Sequence, residues 1–237
     1  MTSLAVVVPT KGRPLNAARL IEAVNHTAGG YFQDLVLAVD HDDPQLPVYR
    51  QAIPPEVASA NWDWVRVAEV KVTPQRMGPV LNHVAVDLAR DYSHIAFMGD
   101  DHLPRSDGWD EELVDALGGK PGVAYGNDLV QGENLPTAVV ISSDIIRALG
   151  YFCPPEQMHL YLDDYWKMLG QSVGNLQYRE DVVIEHLHPT AGKAAWDEGY
   201  ASANSADQYN ADHTAYTRFM MTRWSADLAR LKEALRL

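Results

Sequence analysis

The run Leu4-Ala-Val-Val-Val-Pro-Thr-Lys-Gly-Arg-Pro14 sets how this chain of 237 residues begins to fold. Residues 4–8 are all apolar, and a short run of this kind is typical of a buried strand. The proline, lysine and glycine that follow are typical of a turn. Apolar residues then recur at helical spacing from about residue 15. The run therefore predicts a strand that leads through a loop into a helix.

Apolar runs and helical patterns keep alternating along the first half of the chain. Three further strands are predicted, at residues 35–39, 65–72 and 94–98. A helix is predicted between the last two, over residues 78–90. This alternation predicts an α/β fold with a mostly parallel central sheet flanked by helices.

The second half of the chain is less regular. Strands are predicted at residues 123–126, 137–141 and 182–184. Helices are predicted at residues 143–149 and 163–169, and each is expected to end at a glycine, Gly150 or Gly170. Residues 191–212 are rich in Gly, Ala, Ser and Asn, so a mobile loop is expected there. A C-terminal amphipathic helix is predicted over residues 214–237, with an apolar stripe of Phe219, Trp224, Leu228, Leu231 and Leu235.

Composition limits the classes of protein. Hydrophobic residues make up 46% and charged residues 22%, which excludes disorder of the whole chain. No apolar run approaches the ~18 residues that span a bilayer, and the first run is too short for a signal peptide. The single Cys153, expected to be buried, excludes an internal disulfide and a zinc site built on cysteines. These features predict a cytoplasmic protein without an integral membrane segment.

Charge is distributed unevenly along the chain. The formal net charge is −13, yet residues 214–237 hold five cations and two anions. This tail therefore carries +3, and the remainder carries −16. A body this acidic repels a polyanion, which argues against a general nucleic-acid binder. A nucleic acid stays open as the acceptor if the basic tail contacts it. The acidic surface is consistent either with solubility or with carboxylates that hold a divalent cation.

Carboxylates follow two of the predicted strands. Asp40 ends the second strand, and Asp100 and Asp101 follow the fourth. Ligands bind outside the carboxyl ends of parallel strands, and adjacent acids there favour a cation between them. Oxygen ligands, with His102 as an added nitrogen ligand, suit Mg²⁺ or Mn²⁺. The alternative is an acidic turn that caps the next helix.

Four motifs, in order along the chain, resemble the family-2-type glycosyltransferases, which have the GT-A fold with its Rossmann-like nucleotide-binding half. The first is the opening strand and loop, whose Pro9, Thr10 and Arg13 the resemblance places against the nucleotide of a sugar donor. The second is Asp40, which matches the acid that contacts the base. The resemblance extends over roughly residues 4–190.

The third and fourth motifs complete the resemblance. The run Arg76-Met-Gly-Pro-Val-Leu-Asn82 is similar to the family's helix start, which assigns Arg76 and Gly78 to donor binding. The run Gly99-Asp-Asp-His-Leu-Pro104 is similar to the Asp-x-Asp region and its trailing proline.

This last motif departs from the family pattern, because glycine stands where the first acid of a standard Asp-x-Asp triplet would fall. In the favoured register Asp100 contacts the ribose and Asp101 binds the metal. The alternative is an Asp-x-His arrangement in which His102 is also a ligand.

A late histidine joins the metal in many enzymes of this family. His186 and His188 are the candidates, and in a continuing strand they would point to one face. The alternative is a surface pair near a turn. Lys193 follows in a loop that could fold over a diphosphate, or it is a solvated lysine.

The pair Asp163 and Asp164 resembles the acids that open a helix in this family, the second of which is the catalytic base. Asp164 is therefore the base candidate, with Asp163 as the neighbouring choice. A base at this position implies inversion at the anomeric carbon, and without one a retaining mechanism on the same fold stays open. The alternative is that either acid only caps its helix.

Acceptor-site candidates are fewer. The resemblance places Asp128 where the acceptor pocket forms, although an ordinary turn is the alternative. Trp109 is expected either to flank the donor sugar or to pack, and Trp62 and Trp64 are expected to pack or to lie in a strand.

The resemblance implies a glycosyltransferase that uses a nucleotide sugar, expected to be a UDP-sugar, and Mn²⁺ or Mg²⁺ to modify an unknown acceptor hydroxyl. It implies one catalytic domain over residues 1–213, with a nucleotide-sugar half at about 1–104 and an acceptor half at about 105–213. Residues 214–237 are expected to pack on this domain, with oligomerisation through the helix as the alternative. A nucleotidyltransferase and a non-catalytic nucleotide-sugar binder stay open as rival functions.

Overall fold

The computed structural model describes residues 1–51 and 64–237; the predicted role of Trp62 lies outside these residues. Trp64 lies just before β3 and packs edge-on against Phe32, with 5.2 Å between ring centroids. The strands are β1 (Leu4–Thr10), β2 (Phe32–Asp40), β3 (Val65–Val70), β4 (His94–Phe97), β5 (His102–Pro104), β6 (Val123–Asn127), β7 (Val139–Ser142) and β8 (Leu176–His186).

Helices lie between and after these strands. They are α1 (Pro14–Thr27), α2 (Leu46–Gln51), α3 (Met77–Leu88), α4 (Trp109–Ala116), α5 (Ser143–Leu149), α6 (Leu162–Ser172), α7 (Glu198–Ala203), α8 (Ala206–Thr222) and α9 (Trp224–Leu235). None of the helices in the described ranges is long and apolar enough to cross a membrane.

The described strands form one sheet in the order β3-β2-β1-β4-β7-β6-β8-β5. Strand β1 pairs in parallel with β2 and β4, β2 pairs in parallel with β3, and β6 pairs in parallel with β8. Strand β7 is antiparallel to β4 and β6, and β5 is antiparallel to β8. The predicted α/β fold with a mostly parallel central sheet is confirmed.

Both faces of the sheet are covered, as the apolar run of β1 predicts. Side chains alternate between faces along a strand. Ala5 and Val7 enter a core shared with α3, α5 and α6, whereas Leu4, Val6 and Val8 enter a second core shared with α1 and α4. All five side chains are fully buried.

Helix α6 does not end at Gly170 as predicted. Gly170 is buried inside α6, which continues to Ser172. A Cβ atom at position 170 would lie 2.7 Å from a methyl carbon of Leu176 and 3.0 Å from Cβ of Val123. This glycine therefore permits close packing of the helix on β6 and β8, and it is not a helix cap.

Two predictions for the C-terminal region are wrong. The expected mobile loop over residues 191–212 contains α7 and the beginning of α8, and the expected single helix over residues 214–237 is two helices. The chain bends at Arg223, whose dihedral angles (φ −124°, ψ −41°) are not helical. The predicted domain boundary at residue 214 lies within α8.

The apolar stripe of the C-terminal helices joins the main core. Phe219, Trp224 and Leu231 are 3%, 8% and 0% exposed. The buried Asp227 accepts a 2.6 Å hydrogen bond from the hydroxyl of Tyr151. Helices α8 and α9 therefore join the main core through apolar contacts and bind the segment after α5 through this hydrogen bond.

Candidate active site

The loop after β1 meets the acids after β4 at the carboxyl edge of the sheet. Because β1 pairs with both β2 and β4, its end lies between Asp40 and the acids that follow β4. Oγ1 of Thr10 donates a 2.6 Å hydrogen bond to Asp100, and Nη1 of Arg13 lies 3.4 Å from the same carboxylate. Burial and the charge of Asp101 raise the pKa of Asp100 to about 6.

Side chains from two loops hold Asp40 in place. Nζ of Lys11 lies 2.8 Å from Oδ2 of Asp40, and the amide of Gln75 donates a 2.7 Å hydrogen bond to Oδ1. The buried Asp43 accepts a 2.7 Å hydrogen bond from the backbone N–H of Gly12. These contacts fix the loops after β1 and β2 against each other, so their predicted donor-binding residues border one surface.

Asp101, His102 and His186 form a cluster in which one potential ligand atom from each residue lies within 4.8 Å of the others. The register of β5 and β8 places His102 opposite His186, and their rings stack with 4.2 Å between centroids. Nδ1 of His102 and Nε2 of His186 lie 3.3 Å and 3.4 Å from the carboxylate oxygens of Asp101.

The donor set of this cluster fits a transition metal ion. Nε2 of His102 is buried and has no hydrogen-bond partner among the described residues. One carboxylate and two imidazoles suit Mn²⁺ better than Mg²⁺, because Mg²⁺ takes mainly oxygen ligands. The cluster can therefore supply nitrogen and oxygen ligands from three side chains.

Charges within the cluster are coupled. Burial alone would lower the pKa of His186, but contacts with Asp101 and Asp128 raise it to about 9. Against the effect of burial, the two imidazoles hold the pKa of Asp101 well below its usual range. Burial and the charge of His186 lower the pKa of His102. The Asp101 carboxylate therefore stabilises the charged form of His186, and the imidazoles in turn stabilise the ionised carboxylate.

Glycine at position 99 is required by this packing. A Cβ atom there would lie 2.5 Å from Oδ1 of Asp101 and 3.0 Å from Nδ1 of His102. The backbone N–H of Gly99 donates a 3.0 Å hydrogen bond to the same Nδ1. The departure from the Asp-x-Asp pattern therefore leaves room for the His102 ring.

Two predicted site residues lie beside the cluster but have other partners. Nδ1 of His188 lies 2.7 Å from the hydroxyl of Thr190 and caps the short turn that follows. Nζ of Lys193 lies 3.0 Å from a carboxylate oxygen of Glu185. The structure thus brings His186 into the cluster with Asp101, whereas His188 serves as a cap.

A segment after β8, residues 193–203, covers the cluster and is referred to as the covering segment. The hydroxyl of Tyr200 donates a 2.6 Å hydrogen bond to Oδ2 of Asp101. The guanidinium of Arg13 lies 4.1 Å from the centre of the Tyr200 ring and donates hydrogen bonds of 2.6 Å and 2.8 Å to Asp197. Next to this segment is a cavity of about 270 Å³ whose lining includes both acids that follow β4.

Asp163 and Asp164 lie in the first turn of α6; Asp163 is half-buried and Asp164 is exposed. Burial and the charge of Asp164 raise the pKa of Asp163 to about 6, and the charge of His186 opposes this shift. Burial also raises the pKa of Asp164, against the charge of Lys167. Asp163 is therefore within electrostatic reach of the metal-ligand cluster.

The loop before α6 is fixed by a buried acid. Asp212 is fully buried in α8 and accepts hydrogen bonds of 2.8–3.1 Å from the backbone N–H groups of residues 158–160. Burial lowers the pKa of His159, and Asp101 and Arg13 are among the charges that act on this ring. Asp212 thus holds His159 near the site.

Helix α3 contributes the remaining predicted donor-binding residues. Arg76 is exposed at its start, and the backbone N–H of Gly78 donates a 2.9 Å hydrogen bond to the carbonyl of Met158. The amide of Asn82 bonds the backbone of the loop after α5 and so has a structural role.

Pro9, the remaining residue predicted to contact the donor, is half-buried near the end of β1.

The two predicted acceptor residues are engaged elsewhere. Trp109 is 0% exposed in the core beneath α1, so it packs and cannot flank a sugar. Oδ1 of Asp128 accepts hydrogen bonds of 2.7–2.9 Å from the N–H groups of residues 130–132, and Oδ2 accepts one from Thr137. Asp128 therefore closes an ordinary turn, which is the alternative role expected from the sequence. It also contacts His186 through its carboxylate and its backbone carbonyl.

The predicted loop over residues 191–212 contains three residues of the site that the sequence does not identify, Asp197, Tyr200 and Asp212. Local signals of helix starts are present in that region. Asp197 caps α7 by accepting from the N–H of Tyr200, and Ser205 caps α8 by accepting from the N–H of Gln208. The spacing Ser-x-x-Gln is a capping-box pattern that predicts the start of α8.

The chain has the GT-A fold, because solved structures of nucleotide-sugar glycosyltransferases with this fold are similar to it over nearly its whole length. TarS of S. aureus (residues 1–349) is similar over 99% of this chain and 81% of its own, with a TM-score of 0.57 and 14% identity. Glucosyl-3-phosphoglycerate synthase of Mycobacterium tuberculosis, in complex with Mn²⁺, UDP-glucose and phosphoglyceric acid, is similar over 90% and 79% of the two chains (TM-score 0.59, 14% identity).

A third structure with this fold is the mannosyltransferase PcManGT of Pyrobaculum calidifontis in complex with GDP-Man and Mn²⁺. It is similar over 98% of this chain and 74% of its own, with a TM-score of 0.54 and 13% identity. Neither a protein-family model nor a curated protein matches the sequence.

Proposed function

We propose that this protein is a metal-dependent glycosyltransferase that transfers a sugar from a nucleotide-sugar donor to an acceptor hydroxyl. The observation that carries the proposal is the cluster of Asp101, His102 and His186 beside Asp100, at the carboxyl edge of a GT-A sheet. Structures of this fold hold UDP, UDP-sugars or GDP-Man, and some of them also hold Mn²⁺. A UDP-sugar is the donor class we expect here.

The nucleotide would lie across the loops after β1 and β2. In this arrangement Asp40 contacts the base and Asp100 contacts the ribose. Arg13 would face the diphosphate together with the exposed Arg76 and with Lys193 of the covering segment. Arg13 and Lys193 each form an ion pair with a carboxylate, that of Asp197 or Glu185, and the donor diphosphate would take the place of these anions.

Asp101 and His186 would hold Mn²⁺ or Mg²⁺, with His102 as the third ligand, and the nitrogen-rich donor set favours Mn²⁺. Bound there, the cation would stabilise the negative charge that grows on the leaving diphosphate. Asp128 supports this assignment, since its carboxylate lies 3.9 Å from Nδ1 of His186 and its carbonyl accepts from the His186 N–H. Such contacts orient a ligating imidazole.

We further propose that Asp164 is the general base of an inverting mechanism. It would remove the proton from the acceptor hydroxyl as that oxygen attacks the anomeric carbon. Its exposure lets an acceptor reach it, and its position one residue from Asp163 keeps it near the cluster.

Calorimetry of UDP binding tests the metal and donor assignments together. We expect binding that requires Mn²⁺, and we expect Asp101→Asn to lose most of the metal-dependent affinity while its circular dichroism stays that of the wild type. Asp87→Asn, at a 75% exposed position on α3, is the matched control and should bind as the wild type does. Equal UDP affinity of Asp101→Asn and wild type would remove the metal assignment.

The product released from a nucleotide sugar with Mn²⁺ separates the rival functions. A glycosyltransferase releases the nucleoside diphosphate, whereas a nucleotidyltransferase releases or consumes pyrophosphate. A non-catalytic binder releases neither product, even with saturating donor.

A further inference from the structure

Four aromatic rings lie beside the paired acids of α6. Tyr161 precedes α6, and Tyr209, His213 and Tyr216 lie on one face of α8, because residues three, four and seven positions apart share a face of a helix. The ring of Tyr161 stacks on that of Tyr216, with 5.4 Å between centroids. The ring centroids of Tyr209 and His213 each lie 5.8 Å from that of Tyr161. These four residues are referred to as the aromatic cluster.

Two residues of the aromatic cluster are exposed to solvent, and the other two are held by the surrounding structure. Tyr209 is 53% exposed and His213 is exposed, whereas Tyr161 and Tyr216 are half-buried. Tyr161 has a φ of +65°, a left-handed conformation that is unfavourable for a bulky residue. The hydrogen bonds of Asp212 to residues 158–160 hold the chain just before it. The rings are therefore held in place although two of them face water.

The aromatic cluster is continuous with the candidate active site. Tyr161 is the residue directly before α6, and Asp163 and Asp164 lie in the first turn of that helix. Burial and the charges of these two acids raise the pKa of Tyr216 to about 12. Asp163 in turn feels the charge of His186. The aromatic cluster therefore adjoins the helical turn that carries the proposed base.

We propose that the aromatic cluster binds a sugar ring of an uncharged saccharide acceptor, an inference that rests on the proposed function. The electron-rich face of an aromatic ring attracts the C–H face of a sugar, and exposed rings present such faces without loss of buried contacts. The hydroxyl groups of the same sugar can donate hydrogen bonds to Asp163 and Asp164.

Charge at this position selects against anionic acceptors. Asp163 and Asp164 carry negative charge above their raised pKa values, and a phosphorylated or carboxylated acceptor would face both of them. The cation that acts on Asp164 is Lys167, whose Nζ is hydrogen-bonded to the carbonyl of Asn134 at 2.5 Å. The local field therefore favours an uncharged polyhydroxyl ligand.

Saturation-transfer NMR with maltose, cellobiose and lactose tests the proposal, with glucose 6-phosphate as the anionic probe and with UDP and Mn²⁺ added in parallel samples. We expect at least one disaccharide to receive saturation and glucose 6-phosphate to receive less. Tyr209→Ala should lower disaccharide affinity about fivefold or more, and Tyr209→Phe should keep it, because the ring supplies the contact. Met221→Ala, at an 81% exposed position on the same helix, is the matched control and should change nothing.

The outcomes separate this proposal from the proposed function. Absence of saturation for all three disaccharides, equal affinity of Tyr209→Ala and wild type, or preference for glucose 6-phosphate would each overturn the proposal, even if UDP binds. Disaccharide binding that depends on Tyr209 in a protein that fails to bind UDP would support the aromatic cluster as a saccharide site and overturn the glycosyltransferase assignment instead.

Discussion

The hydroxyl of Tyr200 donates a 2.6 Å hydrogen bond to Oδ2 of Asp101, the central carboxylate of the metal-ligand cluster. Tyr200 is only 8% exposed, and its ring lies against the guanidinium of Arg13. The covering segment is therefore attached directly to the group proposed to bind a cation. A cation that binds to Oδ2 competes with the Tyr200 hydroxyl for the electron pairs of the same oxygen.

Replacement of Tyr200 by Phe should tighten Mn²⁺ binding. A hydrogen bond to an ionised carboxylate contributes roughly 1.5–3 kcal/mol, and part of this contribution has to be given up when the cation binds. We expect Mn²⁺ affinity, measured by electron paramagnetic resonance of the free ion, to rise several-fold in Tyr200→Phe.

Tyr31→Phe is the matched control, since Tyr31 also donates a hydrogen bond to a carboxylate, that of Asp115, which is not a member of the metal-ligand cluster. It should leave Mn²⁺ affinity unchanged. Weaker Mn²⁺ binding in Tyr200→Phe would mean that the hydroxyl supports the metal-bound carboxylate and does not compete with the metal.

Replacement of Asp164 by Asn should abolish sugar transfer and leave donor binding nearly intact, because a general base acts on the acceptor. A loss of turnover by a factor of ~10² or more is expected. Transfer assays with Asp163→Asn and Asp164→Asn in parallel, with UDP affinity measured for both, check this. An inactive Asp163→Asn beside an active Asp164→Asn would move the base to Asp163, and activity in both variants would exclude the inverting mechanism.

Replacement of Asp163 by Asn should stabilise the protein at pH 7. Burial and Asp164 raise the pKa of Asp163 from 3.8 to about 6, so the folded protein binds more protons than the unfolded chain between these values. The stability contributed by the protonated group is therefore present below about pH 4 and is lost as the pH rises through about 6. An uncharged amide avoids this loss, which is of the order of 1–3 kcal/mol.

Thermal unfolding at several pH values measures the effect. The melting temperature of Asp163→Asn should exceed that of the wild type at pH 7, and the difference should shrink towards zero near pH 4. A variant that is less stable than the wild type at pH 7 would show that the carboxylate makes favourable contacts in its ionised form.

Much of the fold was predictable because its signals are local. The apolar run of β1 predicts a strand buried on both faces, and helix α5 lies where the sequence predicts it, ending at Gly150 in the left-handed conformation. The sequence does not identify the role of Gly170, because glycine serves both as a helix cap and as a site of close packing. Only the contacts with Val123 and Leu176 distinguish these two roles.

The candidate site was predictable where its residues follow strands. Asp100 and Asp101 come directly after β4, and the parallel sheet gathers such residues at one edge. Selecting between His102 and His188 required the register of β5 against β8, which pairs His102 with His186 over a separation of more than 80 residues. The role of Trp109 could not be predicted, because a tryptophan beside a turn has the same local sequence whether it packs in the core or binds a sugar.

Removal of the chain after Tyr216 should destabilise the whole protein. The removed part includes Phe219, Trp224 and Leu231, all buried against the sheet and its helices. At ~25 cal/mol per Å² of apolar surface, loss of these three side chains costs several kcal/mol. Asp227 would also be lost, which leaves the buried hydroxyl of Tyr151 without this partner. We expect an insoluble truncated protein or one with a much lower melting temperature.

Leu231→Ala isolates the packing contribution in the full-length chain. Leu231 is 0% exposed, so its truncation should cost about 2–5 kcal/mol in urea unfolding. Met221→Ala removes a side chain that is 81% exposed and should change the free energy of unfolding by less than about 0.5 kcal/mol. A stable, monodisperse truncated protein with full UDP affinity would contradict this prediction, because the apolar stripe would then serve an interface with another molecule and not the core of this one.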